Sequence, residues 1–133
     1  MKADIQSYFA EMINNFLSSP IIDSFNIVRE WQSEEEGYLR ARCTLINGDT
    51  LEVSEYFEII DEEIFVENYT FHWQDVNRKF VKRWDNVKHH KEIETFPYHI
   101  HEGEEKNIKP SEPMNHKKVL KNIQNDIEKN IGD

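Results

Sequence analysis

The sequence predicts an α+β fold, a single antiparallel sheet of about five strands with one helix at each end of the chain. Three observations carry the prediction. Apolar residues recur at spacings of three and four near the N-terminus, alternate with polar ones between Ile21 and Trp84, and return to helical spacing in the tail. The alternating runs are joined by short, turn-like connections, which favours hairpins over parallel crossovers. A chain of 133 residues can bury roughly two-thirds of its unfolded surface, so one domain spanning 1–133 is expected.

The first helix, 1–18, carries Ile5, Tyr8, Phe9, Met12, Ile13 and Phe16 on one face, and Ser18-Ser19-Pro20 ends it because proline disfavours helix in the residue before it. The sheet region, 21–84, begins with Phe25 to Trp31. Leu39, Ala41, Cys43 and Leu45 then alternate with Arg40, Arg42 and Thr44. Asn47-Gly48-Asp49 supplies a turn, after which Leu51, Val53, Glu55, Phe57 and Ile59 alternate with Glu52, Ser54, Tyr56 and Glu58. Asp61-Glu62-Glu63 leads into a strand from Ile64 to Trp73, and Asp75-Val76-Asn77-Arg78 into another from Lys79 to Trp84. From 85 to 113 the pattern is lost. This stretch holds Pro97, Pro110, Pro113 and four of the six histidines, and reads as a long ordered loop with at most short strand pieces. A helix over 112–130, with Ser111 as N-cap, shows Val119, Leu120, Ile123 and Ile127 as its apolar stripe.

Composition removes several function classes. Cys43 is the single cysteine, which excludes an intrachain disulfide and zinc sites built on paired cysteines. The only glycines are Gly37, Gly48, Gly103 and Gly132, so a dinucleotide fingerprint, a Walker A loop and a nucleophile elbow are all missing. No apolar run approaches the roughly 20 residues that span a bilayer, and a charge follows the start too soon for a signal peptide, so a cytoplasmic protein with no membrane partner is expected. The net charge of -10 opposes non-specific nucleic-acid binding. Its distribution is uneven: Asp49 to Glu67 holds eight acidic residues and no basic one, whereas Arg78, Lys79, Lys82, Arg83, Lys88 and Lys91 crowd one short stretch against Asp85.

Several residues there could carry chemistry. Glu55 falls in register with Leu51, Val53 and Phe57, which places a carboxylate on the buried face, either as a tuned catalytic group or as a structural partner of Arg40, Arg42 or Arg83, unless the strand register slips there. Alternation puts His72 on the side of Thr70, Asn68 and Val66, with Tyr69, Phe71 and Trp73 on the other. The run Arg83-Trp84-Asp85-Asn86-Val87-Lys88-His89-His90 gathers a phosphate-binding fork, an indole, a carboxylate and two imidazoles, the parts needed to hold a phosphodiester and move protons around it. The plainer reading pairs Arg83 with Asp85 and leaves the histidines solvated. Tyr98-His99-Ile100-His101 adds a His-x-His pair. Three imidazoles could hold Zn²⁺, yet the spacing matches no compact metal signature, so no metal and no cofactor is expected.

The strings Tyr69-x-Phe71-His72-Trp73-Gln74-Asp75, Arg83-Trp84-Asp85-Asn86-x-x-His89-His90 and Glu94-Thr95-Phe96-Pro97-Tyr98-His99-x-His101 together resemble the TumE family of small prokaryotic toxin–antitoxin proteins. The resemblance runs from about Leu51 to His101 and departs at Val87-Lys88, where a small residue and a proline are expected. It implies a toxin paired with a helix-turn-helix antitoxin. Small ribonuclease toxins of the RelE and barnase type are similar in outline to the predicted fold.

The expected function is therefore a toxin acting on RNA as a metal-independent endoribonuclease. In that reading Glu55 or His72 is the base, His89 or His90 the acid and Arg83 the phosphate clamp, while Trp73 or Trp84 stacks a nucleobase and Lys82, Asp85, His99 and His101 complete the substrate site. The alternatives are a non-catalytic module binding a partner protein or nucleotide, and an enzyme transferring a group to RNA or a nucleotide. The antitoxin is expected on the Arg78 to Lys91 face.

Overall fold

The computed structural model describes residues 3–131, with side chains through 129, so the first two residues of the predicted N-terminal helix lie outside the described residues. The elements are α1 (Ile5–Ser18), β1 (Ile22–Gln32), β2 (Glu36–Leu45), β3 (Thr50–Ile60), β4 (Glu63–Gln74), β5 (Phe80–Asp85), β6 (His99–Glu102), β7 (Ile108–Pro110) and α2 (His116–Ile131). The strands lie in sequence order in one antiparallel sheet. The class is the one expected, with seven strands among the described residues rather than about five. The two extra strands come from the segment read as a loop. Ile100 packs against the core between the buried His99 and His101, a three-residue alternation too short to register as a strand in the sequence.

One face of the sheet is apolar and meets both helices. Asp4 caps α1 by accepting from Ser7 N at 2.7 Å, and Ile5, Phe9, Met12 and Phe16 are buried against the sheet. Leu39, Ala41, Cys43 and Leu45 of β2, Leu51, Val53 and Phe57 of β3, and Tyr69, Phe71 and Trp73 of β4 form the facing layer, joined by Val119, Leu120, Ile123 and Ile127 of α2. The period-two and period-3.6 patterns thus identified the same interior.

Two local expectations fail for identifiable reasons. The β3–β4 register shifts at Tyr56/Phe57, so Phe57 pairs with Val66 and Tyr56 with Asn68; this bulge turns Val66 toward the core and away from the side that His72 and Thr70 occupy. The second helix starts at His116, not 112, because Pro113 disfavours helix at Glu112. Its cap is Asn115, whose Oδ1 accepts from Lys118 N at 2.9 Å, rather than Ser111.

Candidate functional site

Alternation leaves polar side chains on the sheet face opposite the helices, and the register aligns them across strands. One row runs Arg42, Glu52, His72, Arg83, His101; the next runs Arg40, Ser54, Thr70, Asp85, His99. The segment between β5 and β6 adds Val87, His89 and His90, and together these walls enclose a concavity of about 830 Å³ that Tyr38 also lines. That volume suits a small-molecule or nucleotide ligand.

The sequence Trp84-Asp85-Asn86 aims three side chains three ways. Trp84 enters the core. Asn86 continues the pairing with β4 through its amide, accepting from Tyr69 N at 2.9 Å and donating to the Glu67 carbonyl at 2.8 Å. Asp85 is buried at the pocket floor, with Oδ1 2.7 Å from His99 Nε2 and Oδ2 3.3 Å from Arg83 Nε and 3.6 Å from His101 Nε2. The Arg83–Asp85 pairing anticipated by the plainer reading therefore exists, but inside a cluster.

Arg83 also donates through Nη1 to Glu105 Oε1 at 2.8 Å and lies with Nη2 3.3 Å from His101 Nε2. His101 Nδ1 donates to the Glu105 carbonyl, which leaves Nε2 as the acceptor toward Arg83. Burial, with the Arg83 charge, holds the His101 imidazole below its ordinary pKa. His72 is lowered in the same direction, by burial first and the Arg83 charge second, against opposing pulls from Glu52 and Glu105. Its Nε2 is buried and, among the described residues, is the one buried side-chain polar atom with no hydrogen-bond partner. Glu52 is drawn upward by burial, yet hydrogen bonds from Arg42 at 2.9 Å and Arg40 at 3.2 Å outweigh that and hold it below the usual carboxylate range.

Of the residues singled out in the sequence, His72, Arg83, Asp85, His89, His90, His99 and His101 share this pocket. Four others do not. Glu55 is fully buried on the helix face, and its partners are not arginines: it accepts from Tyr8 Oη at 2.6 Å, His116 N at 2.7 Å and His116 Nδ1 at 2.9 Å. Trp73 and Trp84 are core residues, Trp73 donating through Nε1 to Asp49 at 2.8 Å. Lys82 turns to α2 and pairs with Asp126 at 2.7 Å. The basic stretch is therefore split, since Lys82 and Arg83 leave β5 on opposite faces.

A family model described as Toxin TumE matches residues 9–131. The chain belongs to the TumE toxin family. No curated protein and no solved structure gives a significant match. As a TumE protein it is the toxin of a toxin–antitoxin pair and has an antitoxin partner. Among the described residues no helix is long and apolar enough to cross a membrane. Sequence reasoning missed Tyr38, Arg40, Glu52, Ser54 and Thr70 as pocket residues, although alternation in β2, β3 and β4 already set them opposite the core. It also missed His116, whose partner Glu55 is 61 residues away.

Proposed function

We propose that this TumE toxin cleaves RNA by internal attack of a 2′-hydroxyl, with the acid and base supplied by its own side chains. The observation that carries the reading is the shared pocket of His72, Arg83 and His89 on the open sheet face. Burial and Arg83 favour the neutral form of His72, and its imidazole, on the pocket wall, accepts the 2′-hydroxyl proton. The 2′-oxygen then bonds to phosphorus as the bond from phosphorus to the 5′-oxygen breaks, and His89, exposed at the pocket rim, protonates the leaving oxygen. The products are a 2′,3′-cyclic phosphate and a 5′-hydroxyl. Arg83 binds the phosphate by exchanging exposed Glu105, its partner at 2.8 Å, for the substrate anion.

With Trp73 and Trp84 in the core, the stacking surface shifts to Tyr38, which lines the pocket and stacks on the half-exposed Trp31 with ring centroids 6.4 Å apart. The antitoxin, helix-turn-helix in type as the resemblance implies, is expected to cover the open face rather than the whole Arg78 to Lys91 stretch, and the pair to act in the cytoplasm. The test is incubation of the purified toxin with RNA in excess chelator, with end analysis of the products. Cleavage to 5′-hydroxyl ends, lost by 10²-fold or more in His72→Gln and Arg83→Ala, is the expected result; intact RNA under all conditions overturns the proposal.

A further inference from the structure

Part of the pocket is not used by that chemistry. His90, His99 and His101 each offer a ring nitrogen, and these atoms all lie within 4.8 Å of one another. His99 Nδ1 donates to the Pro97 carbonyl at 2.9 Å and His101 Nδ1 donates to the Glu105 carbonyl, so both rings are locked with Nε2 facing inward. That is the outer arrangement by which proteins orient histidine ligands. His90 Nδ1 sits 3.3 Å from Glu92 Oε1, a third imidazole backed by an acceptor. Asp85 completes the set at 2.7 Å from His99 Nε2 and 3.6 Å from His101 Nε2.

From this geometry we infer that His90, His99 and His101, with Asp85 as the fourth donor, bind one divalent transition-metal ion of the Zn²⁺ class. Three imidazoles and a carboxylate suit zinc, cobalt or nickel and disfavour magnesium or calcium, which take all-oxygen sites. Tetrahedral ligands at Zn–N distances of about 2.0–2.1 Å lie about 3.3 Å apart. For the three imidazoles, closing from 4.8 Å therefore asks for about 1.5 Å of movement at most, by ordinary tetrahedral geometry. That movement falls on His90, carried by the irregular segment between β5 and β6, while His99 and His101 are fixed by β6. The ion replaces the hydrogen bond between Asp85 and His99, releasing the proton of that bond to solvent. It also takes the His101 lone pair from Arg83, which retains Glu105 at 2.8 Å.

Such an ion pins the segment bearing His89 and His90 to β6 and closes one pocket wall. This proposal departs from the expectation of no metal, which rested on linear spacing; the sheet register brings together what the spacing does not. The ligand set includes neither His72 nor His89, so this inference and the cleavage reading fail separately.

The test uses the full-length toxin after chelator treatment and dialysis, in the absence of RNA. Titration with Co²⁺, followed by its visible absorption, and competition with Zn²⁺ should give one equivalent bound, and Zn²⁺ should raise the unfolding temperature. His90→Ala, in a loop position that the fold does not need, should weaken Zn²⁺ by more than the roughly 10- to 100-fold that loss of an outer partner costs, with an unchanged circular dichroism spectrum. His72→Gln should bind Zn²⁺ like the unmodified protein. Absence of Co²⁺ and Zn²⁺ binding at micromolar concentration overturns the inference, as does unchanged affinity in His90→Ala.

Discussion

Removing Glu55 should unfold this protein long before it alters its chemistry. The carboxylate is fully buried and accepts from three donors: Tyr8 Oη at 2.6 Å from α1, and the backbone N and Nδ1 of His116 at 2.7 and 2.9 Å at the start of α2. Asn15 Nδ2, 2.8 Å from His116 Nε2, closes the far side of the ring. One side chain of β3 thus ties both helices to the sheet. Burial first, then Glu55, drives the Tyr8 hydroxyl pKa well upward, which keeps it a donor. Glu55→Ala strands three buried donors at about 1–3 kcal/mol each when unsatisfied, and loss of one partner of a buried pair costs about 3–5 kcal/mol. The overlapping figures predict a loss of about 3–5 kcal/mol, or roughly 11–18 °C in a chain of this size. Glu55→Gln keeps one acceptor oxygen but turns an amide donor toward His116, so a loss of about 2–3 kcal/mol is expected. Urea melts of both variants measure this directly, and RNA cleavage by folded Glu55→Gln at low temperature should survive. A Glu55→Gln protein that melts with the parent but has lost cleavage would refute the structural role and restore Glu55 to the chemistry.

Three further expectations follow from single sites. Because His72 is held below its ordinary pKa, the unfolded chain takes up a proton the folded one refuses as pH drops below about 6.5; stability should fall there, and His72→Gln should flatten that slope in melts run from pH 7 to 5. A Cβ at Gly37 would meet Phe9 Cε2 at 2.7 Å and Phe57 Cε2 at 2.8 Å, so Gly37→Ala should cost about 1–3 kcal/mol in the same assay. Burial pushes the Cys43 thiol up to about 12, so a thiol reagent at pH 8 should label the protein in urea but not when folded.

The resemblance to TumE rested on side-chain strings whose logic the fold explains residue by residue. In Trp84-Asp85-Asn86 one residue fills the core, one forms the pocket floor and one extends the sheet. The order is therefore constrained by three separate demands, which a merely amphipathic strand does not impose. The basic stretch from Arg78 to Lys91 carried no such constraint. Charge counted along the chain ignores the strand's alternation, and Lys82 and Arg83, adjacent in sequence, serve a helix contact and the pocket respectively.

What the sequence by itself determined is the alternation: which faces of β2, β3 and β4 are apolar, hence where the core lies and that His72 opposes it, because side-chain direction in a strand depends only on position. It also determined the two amphipathic helices and the turn at Asn47-Gly48-Asp49, where Gly48 takes a positive φ of 91°. Only the tertiary structure decided which strands are neighbours and in what register. That pairing aligned His72, Arg83 and His101 across β4, β5 and β6, brought His90 to the His-x-His pair, and joined Glu55 to a histidine on the last helix. These contacts depend on separations of up to 61 residues, and no local period in the chain encodes which distant residue will close a given gap.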